Sequence, residues 1–323
     1  MSEHPLVTIA IPLLNEARLL PGLLDRLSAQ TWPRTAMQVI LVDGGSEDET
    51  RQIARAAASE FPNLLLITNP ARLAAAGLNL ALMLAAGDFF LRLDARSRPA
   101  PDYVERCVAY LQSNSWGGVA GPQVAVGVNR AGRAAALALN HPLGAGGPSY
   151  RRAQTPIESD TLYLGAYPTA LLREIGGWDD SFAANEDYEL NLRLRESGRR
   201  LLVAPDIRVQ YIARDSLREL AGQYARYGSW RAVTWRKHPT AMRLRHFTPA
   251  GWGAGLMLGL LMLPLNPWPL ALILLPYLAI ITLTACRLSV GHDWQLFPRV
   301  WLAFPTIHLA WAAGFWRRFL LGK

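Results

Sequence analysis

The segment from Ile40 to Thr50, ILVDGGSEDET, contains the pattern that decides the fold. An apolar, β-rich run ends at Asp43, and Gly44-Gly45 follows as a turn signal. Ser46 precedes a helical pattern and has Glu49 three residues later, which is the spacing of a capping box. The segment therefore predicts a strand, a glycine turn and a helix, a geometry that can present backbone N–H groups to a ligand.

The same alternation extends to both sides of this segment. Short apolar runs predict strands at 7–13, 38–42, 64–68, 88–93, 119–128 and 201–204. Helical spacing or helix-forming composition predicts helices at 16–28, 48–60, 74–86, 99–113, 186–197 and 218–238. This alternation indicates an α/β fold with a mostly parallel sheet. Ligands of such sheets bind beyond the carboxyl ends of the strands, and Asn15, Asp43 and Asp94 each follow such an end.

The charge is distributed unevenly along the chain. The formal net charge is +8, yet no acidic residue occurs from Leu220 to His292. Six basic residues stand at the front of that window: Arg226, Arg231, Arg236, Lys237, Arg243 and Arg245. They directly precede a long uncharged stretch, which favours the cytoplasmic side of a membrane with anionic lipid over a nucleic acid.

The uncharged stretch after Arg245 predicts membrane-spanning helices. The candidate spans are 250–265, 270–285 and 300–316, each short for the roughly 20 residues that a spanning helix needs. The alternative is a hydrophobic helical subdomain of a soluble protein. Three spans would place Arg317, Arg318 and Lys323 outside, against the positive-inside rule, whereas two spans and an interfacial third segment would keep them in the cytoplasm.

Three further motifs are weak when each is taken alone. IPLLNE (11–16) is a strand that runs into a polar turn. LRLDARS (91–97) has Asp94 at the end of an apolar run and Arg96 where a metal or phosphate site would have a second carboxylate. NEDYEL (185–190) contains two adjacent acids, which are either solvated residues at the positive end of a helix or a source of a general base.

The order of these motifs carries a family resemblance. The segments are VTIAIPLLNE (7–16), ILVDGGSEDET (40–50), GDFFLRLDARS (87–97), GGWDDSFAANEDYELNLRLRESG (176–198) and QYARYGSWR (223–231). Together they resemble the family 2 glycosyltransferases, which have a GT-A fold, over residues 7 to about 238. The YGSWRA segment and the hydrophobic tail look most like membrane-bound succinoglycan-type exopolysaccharide glucosyltransferases.

The resemblance implies a nucleotide-sugar site. Pro12, Asn15 and Glu16 would lie along the nucleoside. Asp43 would accept a hydrogen bond from the base, usually uracil, and Arg72 would approach the diphosphate or the base.

The resemblance also implies catalytic and acceptor residues. Of the pair Glu186 and Asp187, Asp187 would be the catalytic base. Gln223, Arg226 and Tyr227 match the Q-x-x-R-W element, with Tyr in place of Trp, which in processive members closes over the diphosphate and the acceptor.

The metal site departs from the family pattern. Asp94 corresponds to the first acid of the D-x-D motif, but Arg96 replaces the second acid, which is usually the metal contact. Either Asp94 still holds Mg²⁺ or Mn²⁺ with another partner, or Arg96 reaches the diphosphate as a fixed cation, or Arg96 points to solvent. We favour retained metal use, because one carboxylate with phosphates and waters suffices for Mg²⁺.

The expected protein is an inverting glycosyltransferase that moves a sugar from a UDP-sugar to a lipid-linked glycan. A cytoplasmic GT-A domain (1–240), with an interfacial basic helix near 216–238, precedes a membrane region (247–323) in a bacterial-type cytoplasmic membrane. The N-terminus lacks the features of a signal peptide, so the domain should stay in the cytoplasm. The alternatives are a polyprenyl-phosphate glycosyltransferase that charges the carrier lipid, and a catalytically silent subunit of a synthase complex.

Overall fold

The segment that decides the fold forms strand β2 (Met37–Asp43), a turn and helix α2 (Thr50–Ala56). The predicted strand, turn and helix are therefore present. The predicted capping box is wrong, because α2 has no side-chain cap and Ser46 Oγ accepts the backbone N–H of Asn15 instead. The Ser46 hydroxyl therefore joins two loops and does not cap helix α2.

A computed structural model describes the chain over residues 4–113, 115–145, 151, 153–239 and 244–322. Its strands are β1 (Val7–Leu13), β2 (Met37–Asp43), β3 (Leu64–Thr68), β4 (Phe89–Arg92), β5 (Ser97–Pro99), β6 (Gly118–Ala120), β7 (Gln123–Val126), β8 (Ile157–Glu158), β9 (Ala166–Pro168), β10 (Leu201–Val203) and β11 (Val209–Ile212). Its helices are α1 (Leu20–Ser28), α2 (Thr50–Ala56), α3 (Ala74–Leu84), α4 (Tyr103–Ser113), α5 (Arg130–Asn140), α6 (Pro142–Ala145), α7 (Thr169–Glu174), α8 (Glu186–Glu196), α9 (Leu217–Lys237), α10 (Leu244–Met262), α11 (Trp268–Val290) and α12 (Phe297–Leu321).

The main sheet has eight strands in the order β3-β2-β1-β4-β9-β6-β10-β8. β1 pairs in parallel with both β2 and β4, β2 with β3, and β6 with β10. Strand β9 is antiparallel to β4 and β6, and β8 is antiparallel to β10. The prediction of a mostly parallel sheet is confirmed, and the carboxyl ends of β1, β2 and β4 meet at one edge.

The predicted strand over 119–128 is in fact two strands, β6 and β7. The break lies at Gly121, where a Cβ atom would overlap the carbonyl oxygen of Ile207. A side chain therefore has no room at this position, and the chain leaves the main sheet after three residues.

The core lies on both faces of the central strands. Ile9 and Leu41 pack in one cluster with α1 and α4, whereas Ala10, Ile40 and Val42 pack in another with α3 and α8. All seven residues of β2 are buried. A strand that is covered on both faces is continuously apolar rather than alternating, which explains the composition of β1 and β2.

Contacts divide the chain into two units. One comprises Met1–Val124 and Ser149–Tyr211, and the other comprises Ala125–Pro148 and Ile212–Lys323. The predicted boundary near residue 240 stays a prediction, while the grouping by contacts joins α9 to the later helices.

Helix α9 is the predicted basic helix, and it packs closely on α12 within the second unit. A Cβ atom at Gly228 would overlap the carbonyl oxygen of Trp311, and one at Gly314 would overlap that of Ala225. Trp235 stacks on Phe319 with a ring-centroid distance of 5.1 Å. The predicted third span, 300–316, is thus part of a helix that packs against a basic, amphipathic neighbour.

The sequence predicts two or three membrane spans, but one helix of the described residues meets the requirements of a span. Among the described residues, α11, with 23 residues, has the length and apolar composition needed to cross a membrane, whereas α10 and α12 do not. The first turns of α10 contain His246 and Pro249, and α12 buries a stripe within its own unit that includes Phe304 and Phe315. A multi-pass membrane region is therefore not supported by the helices themselves.

Candidate active site

The predicted site residues near the N-terminus gather at the edge where β1, β2 and β4 end. Pro12 lies opposite Val42 in the register of β1 with β2, and Leu13 lies opposite Asp43. Asp94 follows β4 by two residues. Because β1 lies between β2 and β4, the sheet brings all three loops together.

The loop after β1 is tied to the turn after β2. Asn15 has a left-handed backbone (φ 55°), donates its N–H to Ser46 Oγ at 2.9 Å and accepts the N–H of Glu47 at 2.8 Å. The backbone N–H of Glu16 donates to Thr50 Oγ1 at 2.8 Å. Asn15 is exposed and Glu16 is half-buried, so both remain at the surface of this edge.

Asp43 is fully buried and its carboxylate holds the turn. It accepts the N–H of Gly45 and of Ser46, each at 3.1 Å, and Nη1 of Arg51 at 2.7 Å. Burial would raise the pKa of Asp43, but the hydrogen bonds from Ser46, Arg51 and Gly45 lower it below its ordinary value. The carboxylate is thus held by the turn and by Arg51, and the predicted hydrogen bond to a nucleobase stays a prediction.

Arg72 is an exposed cation beside the same turn. It has a left-handed backbone (φ 57°), and its guanidinium lies 4.0 Å from the Glu47 carboxylate. The neighbouring Asn69 donates its backbone N–H to the Asp43 carbonyl at 2.7 Å, which fixes this loop to the end of β2. The Arg72 guanidinium is exposed to solvent, and its predicted role toward the diphosphate or the base stays a prediction.

Arg92, at the end of β4, is the centre of a buried charge cluster that sequence reasoning missed. Its Nη1 lies 2.8 Å from Glu186 Oε1 and 2.6 Å from Asp187 Oδ1, and its Nε lies 3.2 Å from Asp94 Oδ1. The Arg92 side chain is only 8% exposed. The structure therefore brings Asp94 together with the two adjacent acids through one guanidinium. A cation inside an otherwise apolar strand, two residues before Asp94, was the available signal.

The two adjacent acids begin helix α8, as predicted. Asn185 precedes the helix with a left-handed backbone (φ 64°), and Asp187 lies in the first turn, near the positive end of the helix dipole. Glu186 is buried against Arg92, so its carboxylate anchors that guanidinium. Asp187 also accepts a hydrogen bond from Trp178 Nε1 at 3.0 Å, another contact that was not predicted.

The pKa of Asp187 is raised to about 6. Burial is the largest cause, and the nearby carboxylates of Glu186 and Asp94 add to it. Arg92 and the Trp178 N–H act in the opposite direction without cancelling the effect. A carboxylate with a pKa near neutrality is suited to general-base catalysis, because it is ionised at working pH and still basic enough to take a proton.

Asp94 is the one predicted metal ligand. No group of three His, Cys, Asp or Glu side chains that could hold a metal exists within the described part of the chain. The Asp94 side chain is 33% exposed, and Oδ2 receives no hydrogen bond from any described residue, while Oδ1 is bonded by Arg92. One open carboxylate oxygen at the ligand edge fits a Mg²⁺ or Mn²⁺ ion that takes its other ligands from phosphates and water. Arg96 is half-buried in the following turn.

The predicted acceptor residues lie on α9, in the second unit. Gln223 is buried and donates from Nε2 to the hydroxyl of Tyr227 at 3.0 Å, and Arg226 is exposed. The three residues share one stretch of helix, so the motif is arranged as predicted, while its role toward a diphosphate or acceptor stays a prediction.

Comparison with known proteins places this arrangement in a family. The model "Glycosyl transferase family 2" matches residues 8–165, and "Glycosyl transferase family group 2" matches residues 89–316. The chain belongs to the family 2 glycosyltransferases. It is a glycosyltransferase, and the predicted family and GT-A fold are confirmed.

The chain is similar to relatives along most of its length. It is 33% identical to the succinoglycan biosynthesis protein ExoA of Rhizobium meliloti (strain 1021), over 97% of this chain and 94% of the relative. It is 27% identical to a dolichyl N-acetyl-α-D-glucosaminyl phosphate 3-β-D-2,3-diacetamido-2,3-dideoxy-β-D-glucuronosyltransferase of Methanococcus voltae, over 72% of this chain and 74% of the relative.

Among solved structures, the chain is similar to the mannosyltransferase PcManGT of Pyrobaculum calidifontis in complex with GDP-Man and Mn²⁺. The TM-score is 0.64 at 22% identity, covering 100% of this chain and 89% of that one. At this identity the likeness shows the GT-A fold alone.

Proposed function

We propose that this protein is an inverting glycosyltransferase that transfers a sugar from a nucleotide-diphospho-sugar, in particular a UDP-sugar, to a lipid-linked glycan in exopolysaccharide or cell-surface polysaccharide biosynthesis. The observation that carries the proposal is the placement of Asp187, a half-buried base with a raised pKa, in one cluster with Asp94 at the ligand edge of the sheet. The similarity to ExoA supports the polysaccharide pathway, and the Methanococcus voltae relative supports a lipid-linked acceptor.

In the proposed reaction, Asp187 takes the proton of the acceptor hydroxyl as that oxygen bonds to the anomeric carbon. The bond from the anomeric carbon to the diphosphate breaks in the same displacement, so the anomeric configuration inverts. Negative charge develops on the diphosphate, and Arg72 is the cation we assign to that side. A Mg²⁺ or Mn²⁺ ion held by Asp94 would supply further stabilisation of this charge.

A transfer assay tests the proposal directly. Detergent-solubilised protein is incubated with UDP-glucose and a lipid-linked glycan fraction from an exopolysaccharide-producing cell, and the product linkage is determined by NMR. We expect a β-linked glucose from the α-configured donor, because a single displacement inverts the anomeric centre. An α-linked product would contradict the inverting mechanism.

We also propose that the hairpin formed by α11 and the end of α10 that packs on it anchors the protein in a membrane, with α11 as the candidate span. Leu261, Leu265 and Leu272 are 74%, 89% and 71% exposed, and no charged residue occurs between Arg245 and Arg287. A Cβ atom at Gly259 would lie 3.0 Å from Leu270 Cα, so the two helices approach closely through glycine. Close approach through small residues is typical of helices that pack within lipid.

Acidic substitutions in this hairpin should release the protein from membranes. The double variant Ile280→Asp/Leu283→Asp places two charges near the middle of α11, where both side chains are exposed, and each costs about 2.5–3.5 kcal/mol at the centre of a membrane helix. We expect the wild type, but not the variant, to float with vesicles that contain anionic phospholipid. Met83→Asp, which changes a 78% exposed methionine on α3, is the matched control and should float like the wild type. Flotation of the double variant would contradict the anchor.

A further inference from the structure

Two hydrogen-bond donors converge on one oxygen atom of Asp187. Arg92 Nη1 lies 2.6 Å and Trp178 Nε1 lies 3.0 Å from Oδ1. Oδ2 receives no hydrogen bond from any described residue. We propose that Arg92 and Trp178 form a clamp that fixes the Asp187 carboxylate through Oδ1 and leaves Oδ2 as the atom that takes the acceptor proton. This inference rests on the proposed function, in which Asp187 is the base.

The Arg92 side of the clamp is held independently of Asp187. The same Nη1 also donates to Glu186 Oε1 at 2.8 Å, and Nε donates to Asp94 Oδ1 at 3.2 Å. Arg92 is the last residue of β4, so its backbone belongs to the sheet. The guanidinium is thus positioned by a strand and two other carboxylates, and Asp187 adopts the orientation that this fixed donor requires.

The Trp178 side of the clamp is held by its own backbone and ring. Asn79 of α3 accepts the Trp178 N–H at 2.8 Å and donates to the Trp178 carbonyl at 2.7 Å. The indole ring packs on Phe90 and Tyr167, with centroid distances of 5.6 and 6.3 Å, and the residue is 2% exposed. The direction of the indole N–H is therefore set before any ligand binds.

The clamp gives the two carboxylate oxygens of Asp187 different roles. Two donors stabilise negative charge on Oδ1 and stop rotation about the Cβ–Cγ bond, so the lone pairs of Oδ2 keep one direction. In the transfer step the acceptor O–H proton moves to Oδ2, the acceptor oxygen bonds to the anomeric carbon, and the diphosphate leaves with its electron pair. A base held in one orientation reduces the entropy lost in reaching the transition state. Arg92 and Trp178 are positioning residues, since they act through Asp187.

Trp178→Phe tests the clamp, because it keeps an aromatic ring in the packed site and removes the N–H. The substitution removes one of the two hydrogen bonds that hold the ionised carboxylate. We expect kcat to fall roughly 10- to 100-fold, which is the effect of one hydrogen bond to a charged group. The Kd for UDP should not change, because Asp187 acts on the acceptor. Trp32→Phe is the matched control: Trp32 is 7% exposed in the same unit, and its Nε1 makes no hydrogen bond to a described residue. It should leave kcat within twofold of the wild type.

Arg92→Lys is the second variant. It keeps the positive charge but removes the planar guanidinium, whose N–H groups contact three carboxylates at once. We expect kcat to fall by about tenfold or more with donor affinity retained. The control is Arg200→Lys, which changes an arginine of the same unit that binds Glu158 at 2.9 Å. In the Asp187→Asn background, Trp178→Phe should cause no additional loss, because the clamped base is absent.

The outcomes separate the clamp from the proposed function. Wild-type kcat in Trp178→Phe would overturn the clamp, and so would a loss matched by the Trp32→Phe and Arg200→Lys controls. An equal further loss in the Asp187→Asn background would also overturn it. If the wild type and both controls transfer no sugar to the glycan fraction, the proposed function itself fails.

Discussion

Asp187→Asn should lower kcat by roughly a hundred- to ten-thousandfold, the range that a general base contributes. The amide keeps the shape of the side chain but cannot take the acceptor proton. UDP binding should be retained, because the proposed base faces the acceptor rather than the nucleotide. Single-turnover transfer and calorimetric UDP titration measure the two quantities separately. Glu196→Gln, on the exposed end of the same helix, is the control and should behave as the wild type.

The pH dependence of the reaction tests the role of Asp187 as the base independently of the substitution. The pKa of Asp187 is about 6, so the base is ionised above that pH and protonated below it. Wild-type kcat/KM, which reports ionisation of the free enzyme, should therefore rise with pH through about 6 and level off above it. The residual activity of Asp187→Asn should lack this rise, since its side chain does not titrate.

An Asp187→Asn enzyme with normal turnover would point to the alternative function. A polyprenyl phosphate already carries a negative charge and needs no deprotonation before it attacks. An enzyme that charges the carrier lipid should thus tolerate the loss of this base. Transfer to polyprenyl phosphate, supplied in place of the lipid-linked glycan, would then show that the acceptor assignment is wrong.

The fold was predictable because its signals are local. The continuous apolar runs of β1 and β2, the glycine turn after Asp43 and the helical spacing of α1 each depend on residues near in sequence. Parallel pairing then follows from the alternation of strands and helices, and it places the loops that contain Asn15, Asp43 and Asp94 at one edge.

The charge cluster was not predictable in the same way, because its partners are distant in sequence. Arg92 meets Asp187 across 95 positions, and Trp178 is fixed by Asn79 across 99 positions. The sequence pointed to Asp187 as a base but contained no local sign of the donors that orient it. At Asp43, by contrast, the contact that the sequence analysis did not include is local, since Arg51, in the first turn of the next helix, binds the carboxylate at 2.7 Å.

The membrane helices were over-predicted for a physical reason. An uncharged stretch has the composition of a span whether its apolar side chains face lipid or a neighbouring helix. The helices of the structure show the difference, because α12 contains Arg299, Arg317 and Arg318 and buries Val300, Phe304 and Phe315 within the unit, whereas α11 has only three buried residues and the apolar composition of a span.

Removal of divalent metal should weaken both donor binding and turnover. Asp94 has an open carboxylate oxygen at the ligand edge, and a divalent ion bound there would place positive charge beside the diphosphate in the proposed site. We expect EDTA to reduce kcat by roughly a hundredfold or more, since a metal ion contributes several kcal/mol to charge stabilisation in such transition states. Asp94→Asn should reproduce the loss and resist rescue by added Mn²⁺. Calorimetric titration of UDP with and without Mn²⁺, together with the spectroscopic signal of bound Mn²⁺, provides a readout that does not depend on transfer.

The Arg96→Ala variant tests whether the Arg96 guanidinium provides part of the positive charge that a metal ion would otherwise bring to the diphosphate. If Asp94 holds the metal, the Arg96 variant should bind UDP within a few-fold of the wild type and should still lose that binding in EDTA. If binding ignores EDTA but collapses in Arg96→Ala, the guanidinium provides the fixed cation at the position of the second acid, and the metal assignment is wrong. Arg98→Ala, two residues further on in β5, is the matched control, because it removes the same charge next to the motif. The combination of wild-type dependence on Mn²⁺ and tolerance of both arginine variants is the result we expect, because a single carboxylate with phosphate and water ligands completes the coordination of a small divalent ion.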